Sequence, residues 1–154
     1  MAAKPLVGKC LCGACCLEVD VSEPVVFSSY CHCTICQRRY SSPLAHLIAF
    51  KPDMVKIVAG EDKLVGYNTS DYMVRYSCSV CSSNVYNQSL LEDYPFRDIP
   101  HTILETEDAE RRKAFLNDPR FKPTGHIFYP SRVLDVKDGL TKFKMFPDGE
   151  TVEE

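Results

Sequence analysis

Seven of the nine cysteines fall into three tight groups: Cys10-Leu11-Cys12, Cys31-His32-Cys33-Thr34-Ile35-Cys36 and Cys78-Ser79-Val80-Cys81. Thiolates one or two residues apart can curl around a single ion, and a second pair from elsewhere in the chain can close the tetrahedron. All-sulfur tetrahedral ligation best suits zinc. Seven is four plus three. A four-thiolate site is closed and structural, whereas a three-thiolate site leaves one position open to a reactant. On an extended strand Cys10 and Cys12 would share a face, and Gly13 lets the backbone bend toward a metal. Cys78 and Cys81 have the spacing of a zinc knuckle. Joined, the two pairs make the closed site and leave Cys31, Cys33 and Cys36 to grip one side of a second ion. Spacing alone leaves two other readings open. The Cys31 group could join Cys78 or Cys81 and leave Cys10 and Cys12 idle, or Cys78 and Cys81 could be a redox pair. Cys15 and Cys16 read as small buried hydrophobes.

Other candidates cluster near these groups. Arg38, Arg39 and Arg75 could place positive charge beside the metal or hold a carboxylate, for which a guanidinium fork is suited. His126, entering a strand from Gly125, reads as a pocket residue, and it or Tyr129 could transfer a proton. His32 lies between two ligands and points to the opposite strand face. His46 reads as a satisfied core histidine, and His101 as exposed.

The elements that must position these groups are mostly short strands. Alternation or apolar runs mark strands at 14–21, 44–50, 54–59, 64–69, 72–78, 85–87, 125–129 and 140–146, with another run beginning at Val25. Lys51-Pro52-Asp53 and Gly60-Glu61-Asp62 read as breaks. The stretch 90–122 is punctuated by Pro95, Pro100 and Pro119. It reads as an irregular excursion carrying a short helix at 107–117, whose acidic first turn suits a helix start. The tail, 147–154, reads as loose. The class is mainly β with little helix, in one domain spanning 1–154 with a core of about 8–146.

Composition narrows the function classes. The net charge is −3 and no basic stretch stands out, which argues against nucleic acid. Glu110-Arg111-Arg112-Lys113 follows acidic neighbours and reads as a solvated helix face. Met1-Ala2-Ala3-Lys4-Pro5-Leu6-Val7 has no long apolar run, so neither a secretory leader nor a membrane anchor is expected. The expected location is the cytoplasm, or the nucleus by size. In a reducing compartment, clustered cysteines read as metal ligands rather than disulfides.

Three motifs together resemble the glutathione-dependent formaldehyde-activating enzyme (GFA) family, whose domain is shared with centromere protein V. They are Gly-x-Cys-x-Cys-Gly at 8–13, Cys-His-Cys-x-x-Cys with a following arginine at 31–38, and Arg-x-x-Cys-x-x-Cys at 75–81. Pro-x-Gly-His-Ile-Phe at 123–128 resembles a further family segment. The resemblance implies an Mss4-like fold of short antiparallel strands organised around a structural zinc on Cys10, Cys12, Cys78 and Cys81. It implies a catalytic zinc on Cys31, Cys33 and Cys36, hence two zinc ions per chain. The activity it implies is that of a zinc-dependent carbon–sulfur lyase acting on a glutathione conjugate or related thiol adduct, in the manner of S-hydroxymethylglutathione. The alternative is a non-catalytic Mss4-like zinc module that binds a protein partner. The chain departs from the family at Ser82-Ser83, where a glycine is usual. It also departs in the charged stretch 90–122 and in having no tryptophan.

Overall fold

A computed structural model describes residues 4–153. Met1, Ala2 and Ala3, which begin the N-terminal stretch read above, and Glu154, which ends the tail, lie outside the described residues. Strands β1 (Leu6–Lys9), β2 (Cys16–Val19) and β5 (Val55–Ala59) make a small antiparallel sheet with β2 in the middle. The other strands are β3 (Phe27–Cys31), β4 (Ala45–Phe50), β6 (Leu64–Ser70), β7 (Met73–Cys78), β8 (Asn84–Ser89), β9 (Arg97–Pro100), β10 (Gly125–Ile127) and β11 (Thr141–Lys142). They form one sheet in the order β11-β10-β3-β4-β9-β8-β7-β6. It is mixed: β10 runs parallel to β3 and β11, and the remaining neighbours are antiparallel. Helices α1 (Thr34–Tyr40) and α2 (Ala109–Asn117) complete the described regular structure apart from short 3-10 turns. The chain is mainly β with little helix.

Strand β4 shows why the large sheet carries the site. Leu47 and Ala49 join one apolar cluster, with Phe27, Phe96 and Ile127, while Ile48 and Phe50 join the other, with Leu17, Ile99, Leu104 and Phe121. A strand buried on both faces reads as a continuous apolar run, as 47–50 does. The first cluster packs against Cys31 and Cys36, so the apolar core continues directly into one cysteine group.

Several elements differ from the sequence reading, each for a local reason. The stretch 90–122 is not wholly irregular. Its residues Arg97–Pro100 lie between β4 and β8, because Asp98, Ile99 and Pro100 are all buried there. A short helix that the sequence reading did not include follows β3, and Cys33 is its N-cap with Cys36 in its first turn. Cys10 and Cys12 are not on a strand, since β1 ends at Lys9 and the chain turns through residues 11–15. The strand read at 140–146 is reduced to Thr141–Lys142. The tail read as loose from 147 folds back, bridging Phe143 to Thr151 and pairing Lys144 with Glu150.

The turn after β1 is seated on Gly60. That residue takes φ +74°, and a Cβ there would lie 2.0 Å from the Ala14 carbonyl oxygen. The Cys15 thiol donates to the Gly60 carbonyl at 3.4 Å, drawing the Cys10–Cys15 turn against the end of β5. Gly60→Ala meets backbone and adopts an unfavourable φ, so it is expected to destabilise the fold by about 2–4 kcal/mol. Denaturant unfolding of the metal-loaded protein measures this, and an unchanged midpoint would refute the proposed close fit.

Candidate metal centres and the cavity beside them

The cysteine groups come together as four and three. The sulfurs of Cys10, Cys12, Cys78 and Cys81 lie within 4.8 Å of one another, and those of Cys31, Cys33 and Cys36 do the same. Cys10 and Cys12 are 3.6 Å apart, and Cys12 and Cys78 are 3.8 Å apart. An ion with metal–sulfur bonds of about 2.3 Å in a tetrahedron places its sulfurs roughly 3.8 Å apart, so the donor set fits a metal. All nine cysteines are free thiols, and the separations are far beyond a disulfide of about 2 Å. The alternative partition, with Cys10 and Cys12 idle, is not what the fold makes.

Local backbone structure sets the four-sulfur group. Cys10 opens a turn closed by Gly13 N–H to Cys10 O at 3.1 Å, with Gly13 at φ +80°. Amides of Cys15 and Val80 donate to the Cys10 and Cys78 sulfurs at 3.2 and 3.4 Å. Such bonds favour the thiolate form that a metal requires. The Ser83 hydroxyl beside Cys81 draws that thiol down to about 5. Ser83 also accepts from Leu11 N–H at 3.0 Å, joining the two halves of the site. Ser82 stands at φ +65°, a conformation in which glycine is unstrained and serine is not.

The three-sulfur group is assembled by a strand end and a helix start. Cys31 ends β3, Cys33 caps α1 and accepts Cys36 N–H at 3.2 Å, and Cys36 lies buried in the helix's first turn. Hydrogen bonds from Cys31 and Cys36 pull the Cys33 thiol down to about 2, while Cys31, bonded to Cys33 and Cys36 and buried, is pushed up. Arg75, on β7 and only 5 % exposed, donates from Nη1 to Cys36 Sγ at 3.5 Å and from Nε to Thr69 Oγ1 at 3.1 Å. Its charge compensates a group of thiolates. All three cysteines open onto a cavity of about 520 Å³ whose lining also includes Arg75, Asp98, Phe128 and Phe146. None of the other four ligating cysteines lines it. One group brings the four sulfurs of a complete tetrahedron together near the surface, with Cys12 exposed, and the other brings three that face a chamber.

Three polar side chains expected at that chamber lie elsewhere. Arg38 is exposed, and its Nε donates to Thr34 O in its own turn at 3.0 Å. Two residues beyond Cys36, a helix has rotated about 200°, which carries Arg38 away from the sulfurs. His126 is fully buried on the face of β10 opposite Ile127, and Ile127 is the one that lines the cavity. Tyr129 is buried, with its hydroxyl accepting Val136 N–H at 3.0 Å. Asp98 does line the cavity and was missed because it sits in the stretch read as irregular. Asn87 Nδ2 donates to its Oδ1, and burial pushes its carboxyl up to about 6 against the pull of Arg75.

His126 has a different place. Asp138 Oδ2 lies 2.8 Å from His126 Nε2, and His126 Nδ1 lies 2.8 Å from His32 Nε2. With a neutral His126 ring donating to the Asp138 carboxylate, His126 Nδ1 accepts from His32 Nε2, which assigns one tautomer to each ring. His32 points away from the sulfurs, as expected, and the chain of three side chains fastens the Cys31–Cys33 segment to β10 from behind. His46 is satisfied by Ser28 Oγ at 2.7 Å. His101 is half-buried rather than exposed and stacks on His46 with ring centres 4.2 Å apart.

These histidines carry a pH consequence. Burial, then His126, lowers His32 to about 4. Burial, then His101, lowers His46 to about 3, and burial also lowers His101. The unfolded chain takes up protons on them below about pH 6.5, where the folded chain does not, so stability is lost as pH falls from about 6.5 toward 4. Asp98 acts in the opposite sense across part of that window, one group against three. Denaturant midpoints across this range are expected to drop with acidity and to drop less steeply in His46→Gln. A flat profile in the parent protein would contradict the burial argument.

Comparison with known proteins places these features in a family. The family model described as "Glutathione-dependent formaldehyde-activating enzyme" matches residues 5–131. A curated protein of Fusarium vanettenii is 25% identical over 109 residues, covering 70% of this chain and 58% of its own. One of Podospora anserina is 25% identical over 109 residues, covering 70% of this chain and 51% of its own. Both are provisionally named glutathione-dependent formaldehyde-activating enzymes, and this chain spans little more than half the length of each. A crystal structure of a Rhodobacter sphaeroides protein shares the fold, with a TM-score of 0.55 at 21% identity, covering 73% of this chain and 95% of that one. The matched span includes both cysteine groups, and the chain belongs to the glutathione-dependent formaldehyde-activating enzyme family.

Proposed function

We propose that the protein is a zinc-dependent carbon–sulfur lyase that makes or breaks the bond between a thiol, glutathione or a relative, and the carbon of a carbonyl compound. The observation that carries this reading is the asymmetry of the two cysteine groups: four sulfurs in one, three facing a chamber in the other. Two zinc ions per chain follow from that count, with Cys10, Cys12, Cys78 and Cys81 holding the structural one. Cys31, Cys33 and Cys36 would hold the second zinc, which would supply Lewis acidity toward the substrate's sulfur or oxygen.

In the direction of synthesis, the thiol sulfur bonds to the carbonyl carbon, the carbonyl π bond opens onto oxygen, and the thiol proton ends on that oxygen. No oxidant or reductant is needed. Arg75 offsets the negative charge of the thiolates and of an incoming one. The Asp98 carboxylate, whose proton affinity burial raises to a pKa of about 6, takes the thiol proton and returns it to the product hydroxyl. The apolar lining excludes water that would compete for the carbonyl carbon.

Family membership supports a glutathione-dependent reaction, and a cytoplasmic setting with abundant glutathione suits it. Among the described residues no helix is long and apolar enough to cross a membrane. The reading as a protein-binding module draws on Leu11 and Val80, which stand exposed at the tips of the two turns of the four-sulfur group. It gives no use to the open chamber.

Cys33→Ser tests the lyase reading. The variant is expected to fold and to drop from about two zincs per chain to about one. It should lose at least about 100-fold in the rate of thiol–aldehyde exchange seen by NMR with glutathione and formaldehyde or a larger aldehyde. Arg38→Ala, remote from the chamber, should change neither quantity. Undiminished exchange in Cys33→Ser would end the assignment.

A further inference from the structure

The chamber beside the three cysteines is the wrong shape and polarity for a one-carbon fragment. A hydroxymethyl group is little larger than a water molecule, roughly 30 Å³, and would leave most of the 520 Å³ empty. The lining is overwhelmingly apolar, with Arg75 and Asp98 its only charged side chains apart from the thiols. Arg75 already faces Cys36. The two carboxylates and the ammonium of a glutathione peptide would find few partners inside, and an unpaired charge is costly to bury.

What the chamber does present is a set of aromatic rings. Phe27 and Phe96 meet edge to face with centroids 5.2 Å apart, and Phe96 reaches Phe146 at 6.0 Å. Phe128 meets Phe146 edge to face at 5.3 Å. Phe27 and Phe96 are buried, while Phe128 and Phe146 are only half-buried and offer ring surface to the chamber. Phe128 is also strained: it stands at φ +51°, where a bulky side chain is disfavoured. The strain is held in place by Phe128 N–H to Met145 O at 3.2 Å and Tyr129 N–H to Phe143 O at 3.1 Å. The left-handed turn brings the Phe128 ring onto the same chamber as Cys31, Cys33 and Cys36.

We infer that the carbon partner of the thiol carries a flat apolar group, aryl or extended alkenyl, which lies against Phe128 and Phe146 while its reacting carbon reaches the three cysteines. The peptide half of a glutathione adduct stays at the mouth, in water. The substrate class is then an adduct of a thiol with an apolar aldehyde rather than with formaldehyde. This deepens the lyase reading and rests on it.

Phenylmethanethiol carries the carbon–sulfur bond and the ring together, and is the probe. Its affinity for the zinc-loaded full chain, measured by calorimetry, is compared with those of 2-mercaptoethanol and glutathione. Burying one ring predicts an advantage of roughly tenfold or more over 2-mercaptoethanol. Phe128→Gly removes the ring and relieves the backbone strain, so the variant is expected to fold. It should lose most of the advantage without weakening 2-mercaptoethanol, and Phe146→Ala should do the same. Equal affinities for the three thiols would overturn the inference and spare the lyase reading. An aromatic advantage untouched by both variants would place the ring elsewhere and overturn it as well. Failure of every thiol to bind would overturn the lyase reading itself, and this inference with it.

Discussion

Seven sulfurs held in two groups, each within 4.8 Å, constitute the constraint on which everything else rests. Thiolates at such separations repel one another, and a cation among them would make the arrangement favourable. The four-sulfur group ties the turn after β1 to the turn after β7, segments more than sixty residues apart, and so ties the small sheet to the edge region of the large one. The three-sulfur group is built from six consecutive residues and ties nothing distant together. Its position comes instead from β3, which is paired on both sides, with β4 and with β10. The four-cysteine group thus joins distant segments, and the three-cysteine group rests on a strand whose residues join the second apolar cluster.

That placement explains why the chamber exists where it does. The apolar cluster around Phe27, Leu47, Phe96 and Ile127 runs up to Cys31 and Cys36 without an intervening polar layer. The charge that a metal–thiolate group brings into such surroundings is met by Arg75 on the sulfur side and by backbone amides. Behind the ligands, the His32–His126–Asp138 chain is polar, fully oriented and separated from the chamber by the strand itself. The two faces of one short stretch of β3 and β10 thus carry different groups: one side the hydrogen-bonded histidines, the other the cysteines and the chamber.

The two cysteine groups could be read from the sequence because their information is local. A CxC, a CxCxxC and a CxxC bring sulfurs together whatever the rest of the fold does, and the family motifs supplied the pairing that spacing left open. Strands β4 to β7 were similarly legible from alternation and breaks. What could not be read was which face a neighbouring residue occupies. Arg38 and His126 are next to the right motifs in sequence, but helix rotation and strand alternation turn them away. Asp98, and the meeting of Phe27, Phe96, Phe128 and Phe146, depend on strands far apart in the chain. β9 was hidden in a proline-punctuated stretch whose buried residues only the sheet identifies.

The central claim is that one cysteine trio holds an ion with a place left for a sulfur from outside. Cadmium-113 NMR of the protein loaded with cadmium at both sites reads the ligand set of each ion separately. Two resonances are predicted: one with the shift of four sulfurs, unmoved by added thiol, and one with the shift of three sulfurs and a lighter atom, which moves to the four-sulfur range as thiol is added. Two four-sulfur resonances from the outset, both indifferent to thiol, would contradict it.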